Sequence, residues 1–254
     1  MRRGSVAVGF LDPGSWSHCF GQSLIDLYLT DAFGSKRMVP HGKQLRDNCQ
    51  AGGIAAGRNE VARKVLDDTD CEWLFMVDSD MGFAPDTVDR LIASADPVSR
   101  PVVGGLCFSL RREATGEFYG QKFVVVPTCY EFVESESEVG FRSVVDYPRD
   151  ALMPVAGTGA ACLMIHRTAL HRVRVKYGDH WFDPITHPVG PTTFSEDLSF
   201  CVRLAGCDLP VFVDTSVRTT HDKHGVFLDE LEFDRSVAIH DLERVMREQQ
   251  EEVA

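Results

Sequence analysis

Trp73-Leu74-Phe75-Met76-Val77-Asp78-Ser79-Asp80 decides how this chain is read. The first five residues are an unbroken apolar run, the pattern of a strand buried on both faces. Two carboxylates follow directly, Asp78 and Asp80. In open α/β sheets, ligands bind outside the carboxyl ends of the strands. Residues two apart on an extended chain point the same way, so both acids are expected to face one cleft. Backed by apolar residues, they would repel each other and be poorly solvated. A divalent cation, Mn2+ or Mg2+, resolves that conflict and keeps positions open for phosphate oxygens. The competing reading is that the two acids cap the turn into the next helix.

Outward from this strand, strands and helices alternate. Residues 6–10, Val-Ala-Val-Gly-Phe, read as a first strand. Residues 23–29 place Leu24, Leu27 and Tyr28 at helical spacing, and residues 54–66 place Val61, Val65 and Leu66 on one helix face. Another helix follows from about Pro85, with Asp86 suiting its N-terminal dipole and Val88, Leu91 and Ile92 forming its apolar face. Residues 101–108 read as the next strand, and the polar stretch 131–150 as a loop or edge hairpin. Residues 155–165 are apolar but broken by Gly157 and Gly159. A helix opens at Ser195 and stops near Gly206. A late strand, 209–213, ends at Asp214, and one or two helices follow from Leu228. This order predicts an α/β fold with a mostly parallel central sheet flanked by helices, in a single compact domain. Residues 1–227 would form it, with 228–254 as a C-terminal helical extension.

A chain of 254 residues is ample for one such core. Its formal net charge of −12, without a cluster of Lys and Arg, argues against nucleic acid as a primary ligand. No run of 18 apolar residues exists, so no transmembrane segment is expected. The basic start Met1-Arg2-Arg3 leads into an apolar stretch too short for an export signal, cut off by Asp12-Pro13-Gly14. Eight cysteines without CxxC spacing then read as reduced thiols, mostly in the core, which points to the cytoplasm.

Three further motifs carry candidate chemistry. Ser195-Glu196-Asp197 opens a helix, where Ser is a good cap and acids suit the first turn, so a purely structural role competes with a catalytic one. His221 follows the late strand across a short polar stretch. A neutral imidazole ligates Mn2+ or Zn2+, although a lone His is more often a surface or hydrogen-bonding residue, and His224 is a second candidate. Gly157-Thr158-Gly159 lets backbone approach a ligand closely, or forms a bulge or tight turn.

Taken in order, these pieces resemble the GT-A fold glycosyltransferases, especially the small bacterial and bacteriophage enzymes of the family-2-like group. The landmarks are Gly57-Arg58-Asn59, then Trp73 to Met81, Val103-Gly104-Gly105 with Arg111 and Arg112, Gly157-Thr158-Gly159, Phe194 to Cys201, and Val213-Asp214-Thr215-Ser216 leading to His221. They span roughly residues 6–224; the region 113–149 and the C-terminal tail are unmatched. The resemblance implies a nucleotide-sugar donor, a UDP- or GDP-sugar, and a glycan, protein or small-molecule acceptor. If the gene is phage-borne, the host cytoplasm is implied. Asp80 would ligate the metal, and Asp78 would bind ribose or share it. His221 resembles the late histidine that completes the metal site in polypeptide N-acetylgalactosaminyltransferases and mannosylglycerate synthase. Asp197, within the Glu196-Asp197 pair, falls where inverting members place the catalytic base; in retaining members the acid there mostly orients hydroxyls. Phe10, Leu11 and Arg58 would lie near the nucleotide base, with Ser79 and residues 157–159 also on the donor. The usual Pro-x-Tyr-Asn start after the first strand is replaced here by Leu11-Asp12-Pro13-Gly14.

Transfer needs the leaving diphosphate neutralised, a proton taken from the acceptor by Asp197, and water excluded. The loop 181–193, with Pro184, Pro188 and Pro191, is a candidate lid. A nucleotidyltransferase would carry a glycine-rich basic loop after the first strand, whereas this loop has one glycine and no Lys or Arg. A non-catalytic nucleotide- or carbohydrate-binding module would bind the donor without consuming it. A metallohydrolase would place Asp78, Asp80, His221 and His224 around its metal.

Overall fold

The computed structural model describes residues 5–38, 44–47, 52–113, 122–135, 139–187, 192–223 and 225–253. Along the chain run β1 (Val6–Leu11), α1 (His18–Phe33), β2 (Gln44–Asp47), α2 (Gly53–Asp67), β3 (Trp73–Val77), β4 (Met81–Phe83) and α3 (Thr87–Ser94). Strands β5 (Val102–Leu106), β6 (Phe108–Glu113), β7 (Lys122–Pro127), β8 (Cys129–Glu134), β9 (Val139–Ser143), β10 (Leu152–Val155), β11 (Gly157–Thr158) and β12 (Cys162–His166) follow. The chain ends with α4 (Arg167–Tyr177), α5 (Glu196–Ala205), β13 (Val211–Lys223), β14 (Val226–Leu228) and α6 (Glu230–Val253). Residue 224, and with it the candidate His224, lies outside the described residues, as do Pro188 and Pro191.

The central sheet is ordered β10-β13-β5-β12-β3-β1-β2, with β4 and β14 also paired to β13. β1 is parallel to β2 and β3, and β13 is parallel to β5, whereas β12 runs antiparallel between β3 and β5. β10 is antiparallel at the edge. Five of the seven strands on this path therefore share one direction, and the expected mostly parallel sheet flanked by helices is what the chain forms.

The two-residue period of a strand explains why both faces need helices. On β3, Leu74 and Met76 pack with Val61, Val65, Leu170 and Phe200 from α2, α4 and α5. Trp73, Phe75 and Val77 pack on the opposite side with Phe20, Leu24, Leu27, Val88 and Leu91 from α1 and α3. All five β3 residues are buried. A third cluster, including Phe108, Val125, Val213 and Phe233, anchors the start of α6, where Phe108 and Phe233 stack at 5.6 Å. Among the described residues no helix is long and apolar enough to cross a membrane, and the seven described cysteines are free thiols.

Several boundaries differ from the sequence reading. Residues 131–150 do contain a hairpin, β8–β9, and residues 101–108 split into two strands at Cys107. The third helix starts at Thr87 behind Asp86, leaving Pro85 outside it. The C-terminal region is one helix, α6. The consequential difference is the late strand, which does not stop at Asp214. After a register shift between Asp214 and Arg218 it changes partner, leaving parallel β5 for antiparallel β4. Thr219 then faces Phe83, Thr220 faces Gly82 and His221 faces Met81. A Cβ on Gly82 would lie 3.3 Å from Cys19 Cβ and 3.5 Å from Thr220 Cβ, so glycine lets β4 pass between α1 and β13.

Candidate active site

The site begins where β3 ends. Asp78 N–H donates to Ala161 O at 3.1 Å, and Met81 N–H closes a turn on Asp78 O at 3.1 Å. That turn presents Asp78, Ser79 and Asp80 at the carboxyl edge of the sheet, where all three line a cavity of about 540 Å3. Leu11, Pro13, Trp16 and Ile54 form its apolar wall. Arg58 and Lys223 add positive charge to the polar side.

Arg58, on α2, has a side chain only 4% exposed. Its Nη2 donates to both carboxylate oxygens of Asp78, at 2.9 and 3.1 Å. Its Nη1 contacts Oδ1 of Asp197 and lies 3.9 Å from Glu196 Oε1. The ring of Phe182 lies beneath the guanidinium at 5.8 Å. One buried cation thus ties the β3–β4 turn to the first turn of α5. Ser195 precedes that helix as its N-cap but makes no side-chain capping bond. The pair after it is therefore held by Arg58 rather than by a capping box.

Asp80 is held from the other side. Its Oδ2 accepts from Lys223 Nζ at 2.9 Å and faces His221 Nε2 at 3.2 Å. Asp222 N–H donates to the Asp80 carbonyl at 2.8 Å, which locks the strand to the turn. His221 Nδ1 lies 2.9 Å from the Phe108 carbonyl. A carbonyl only accepts, so Nδ1 carries the hydrogen, and Nε2 donates to Asp80 only as an imidazolium. Burial works to raise the Asp80 carboxyl, but the hydrogen bonds and charges of His221 and Lys223 prevail and bring it down to about 2. Burial likewise works to lower His221, but Asp80 and the Phe108 carbonyl prevail and its titration is raised above the ordinary histidine value.

The structure thus brings Leu11, Arg58, Asp78, Ser79 and Asp80 onto one cavity wall, His221 behind Asp80, and Glu196 and Asp197 behind Arg58. It does not bring Phe10 there. Phe10 is 1% exposed and packs on Phe20 and Trp16, because it shares a sheet face with Val6 and Val8. Arg58 likewise serves the two acids from a buried position. Gly157 and Thr158 form β11 against Cys129 and Tyr130, and a Cβ on Gly157 would collide with Phe141 and Leu198, so this glycine serves packing. Gly159 differs, since a Cβ there would sit 3.7 Å from Asp197 Oδ2. The candidate lid is core at its start: Trp181 and Phe182 are fully buried, and Trp181 Nε1 donates to Leu170 O at 2.8 Å. Two residues escaped the sequence reading. Trp16, 43% exposed, stands on the cavity wall, and Lys223 follows His221 by the two-residue step that keeps a strand on one face. A tryptophan in the otherwise polar loop Asp12-Pro13-Gly14-Ser15-Trp16-Ser17 was the available signal for the first.

The donor set suits a hard or borderline divalent ion. It offers carboxylate oxygen from Asp80 and imidazole nitrogen from His221, whose second nitrogen is fixed by a backbone carbonyl, the usual outer support of a ligating histidine. Asp78 is engaged by Arg58. Among the described residues no cluster of three or more His, Cys, Asp or Glu side chains could hold an ion alone. Phosphate oxygens would have to complete the shell, as is usual for Mg2+ in nucleotide sites.

Among solved structures, the chain is similar to A197 from STIV, with a TM-score of 0.52 at 15% identity, covering 91% of this chain and 92% of that one. It also aligns with GalNAc-T7, solved with UDP, GalNAc and Mn2+, with a TM-score of 0.47 at 13% identity, covering 86% of this chain and 38% of that one. The first likeness shows a shared mixed α/β fold; the second is too distant to carry an argument. No protein-family model and no curated protein sequence matches the chain.

Proposed function

We propose that this chain is a GT-A-type glycosyltransferase that moves a sugar from a nucleotide-sugar, a UDP- or GDP-sugar, to an acceptor hydroxyl on a glycan, protein or small molecule. The observation that carries the reading is the convergence of four separate elements on one sheet edge. The β3–β4 turn supplies Asp78 and Asp80, α2 supplies Arg58, α5 supplies Asp197, and β13 supplies His221 and Lys223. A structural turn cap needs none of the last four.

In this reading the base lies against Trp16 and Leu11, and the diphosphate reaches the polar wall between Ser79, Asp80 and Lys223. Asp80 and His221 would hold Mn2+ or Mg2+, which when bound neutralises charge on the leaving diphosphate. Arg58 holds Asp197 through Oδ1. Its Oδ2, bordering the bare backbone of Gly159, takes the acceptor proton as the new bond forms. Asp78, clamped by Arg58, orients the donor sugar or ribose.

A panel of nucleotide-sugars with Mn2+, read first by thermal shift and then by donor consumption, tests this. A ligand at a hundred times its dissociation constant adds about 2.7 kcal/mol of stability. One donor should stabilise the chain and be hydrolysed or transferred. A binding module would be stabilised without consuming the donor, and a nucleotidyltransferase would instead release pyrophosphate from a nucleoside triphosphate.

A further inference from the structure

Lys223 holds one of the two carboxylate oxygens that Asp80 could offer a metal. Its ammonium and the His221 imidazole both address Oδ2 of Asp80, at 2.9 and 3.2 Å. The backbone of Lys223 is fixed by pairing with Val226 on β14. Its side chain is long, 40% exposed, and lines the cavity beside Ser79 and Asp80. It can therefore turn from Asp80 into the cavity without any change in the sheet. A divalent ion on the Asp80 carboxylate would sit beside that ammonium, and the two cations would repel each other. With only two protein ligands on offer, an ion arriving alone has little with which to displace it. An ion arriving with a diphosphate brings its own oxygen ligands and offers the displaced ammonium an anionic partner, for which lysine's compact charge and three donors are well suited.

We propose that Lys223 is a resident counter-cation that a divalent metal must displace from Asp80, so that metal and nucleotide diphosphate enter the site together. This inference rests on the nucleotide-sugar reading and deepens it. It assigns Lys223 two partners, Asp80 in the empty site and the diphosphate in the loaded one. The positioning role explains why an acid already neutralised by the protein sits where a metal is needed: the lysine keeps the carboxylate paired and the site closed to free cations until the nucleotide is present.

The test is a Mn2+ binding isotherm on the full chain, read from the electron paramagnetic resonance of free Mn2+, without nucleotide and then with saturating UDP or GDP. Lys223→Met should bind Mn2+ alone about ten-fold more tightly than the parent chain, as expected when one like charge is removed beside a partly exposed site. It should also gain less from the nucleotide and bind the nucleotide more weakly at saturating Mn2+. Lys223→Gln, which keeps polarity and most of the length, should behave alike and guards against a folding artefact. Equal or weaker Mn2+ binding by both variants in the absence of nucleotide overturns the inference. Asp80→Asn distinguishes failure of the displacement from failure of the metal site. If it abolishes Mn2+ binding while the Lys223 variants match the parent, only the displacement inference fails. If Mn2+ binds to none of these proteins, or binds Asp80→Asn as it binds the parent, the metal reading of the site fails with it.

Discussion

Arg58→Met is the sharpest perturbation of this molecule. The guanidinium is 4% exposed, and it is the shared partner of Asp78 and Asp197, whose side chains are 26% and 23% exposed. Methionine fills most of the space but leaves two partly buried carboxylates facing each other without compensation. Removing one partner of a buried pair costs on the order of 3–5 kcal/mol. The residual exposure of both acids lets water recover part of this, so a loss of about 3 kcal/mol is expected, or a fall in Tm of roughly 6–12 °C for a chain of this size. The sign of the pH dependence is also set. Protonating one orphaned carboxylate relieves the repulsion and the desolvation together, so the deficit relative to the parent should be larger at pH 8 than at pH 5. Urea denaturation at both values measures it. A deficit below about 1 kcal/mol that does not change with pH would mean that the Arg58 bridge is not a structural element of this site.

Other substitutions separate the remaining roles. Asp197→Asn keeps the shape of the side chain and should lower the rate of transfer by about a hundred-fold or more; a loss of less than about ten-fold would leave Asp197 as a helix-end acid. Trp16→Ala should weaken UDP or GDP binding by about 1–3 kcal/mol in calorimetry, the worth of one base on an aromatic platform, and an unchanged affinity would remove the base from that wall. His221, titrating above its ordinary value through Asp80, contributes stability in metal-free protein below about pH 6.5 that is lost as pH rises through its folded-state value. His221→Gln should abolish that part of the stability curve above about pH 6.5, and parallel curves for the two proteins would refute the pairing.

The sheet was legible because its strands announce themselves. The β3 run is continuous, and β1 repeats the pattern with both faces buried. The convergence of Asp80 and His221 was legible only as a resemblance, because the physical link between them is an extension of β13 that hydrophobicity does not reveal. Residues 215–221 alternate between inward and outward positions as a strand should, but three of the four inward residues are Thr215, Thr219 and His221. Thr219 is satisfied by donating to the Leu106 carbonyl at 2.9 Å, and His221 by the Phe108 carbonyl. A strand face stabilised by hydrogen bonds leaves no apolar period to count. Strand β4, three residues long, gives no periodicity either. Arg58 presents the same difficulty in sharper form. A buried arginine is tolerable only because Asp78 and Asp197 meet it from 20 and 139 positions away in sequence, and neither partner can be named from the local pattern around α2. Phe10 went the other way: the end of the first strand does lie at the cavity, but the strand's alternation turns Leu11 towards it and Phe10 into the core.

On this reading, one edge of the sheet holds a nucleotide diphosphate and a divalent ion between Asp80, His221 and the Trp16 wall. A crystal grown with Mn2+ and UDP or GDP, recorded at a wavelength where manganese scatters anomalously, tests it most directly. The expected result is an anomalous peak within ligating distance of Asp80 and His221 Nε2, with diphosphate oxygens completing its shell, the base against Trp16, and the Lys223 ammonium moved from Asp80 to phosphate. A nucleotide bound elsewhere, or a manganese peak that neither Asp80 nor His221 touches, would contradict it.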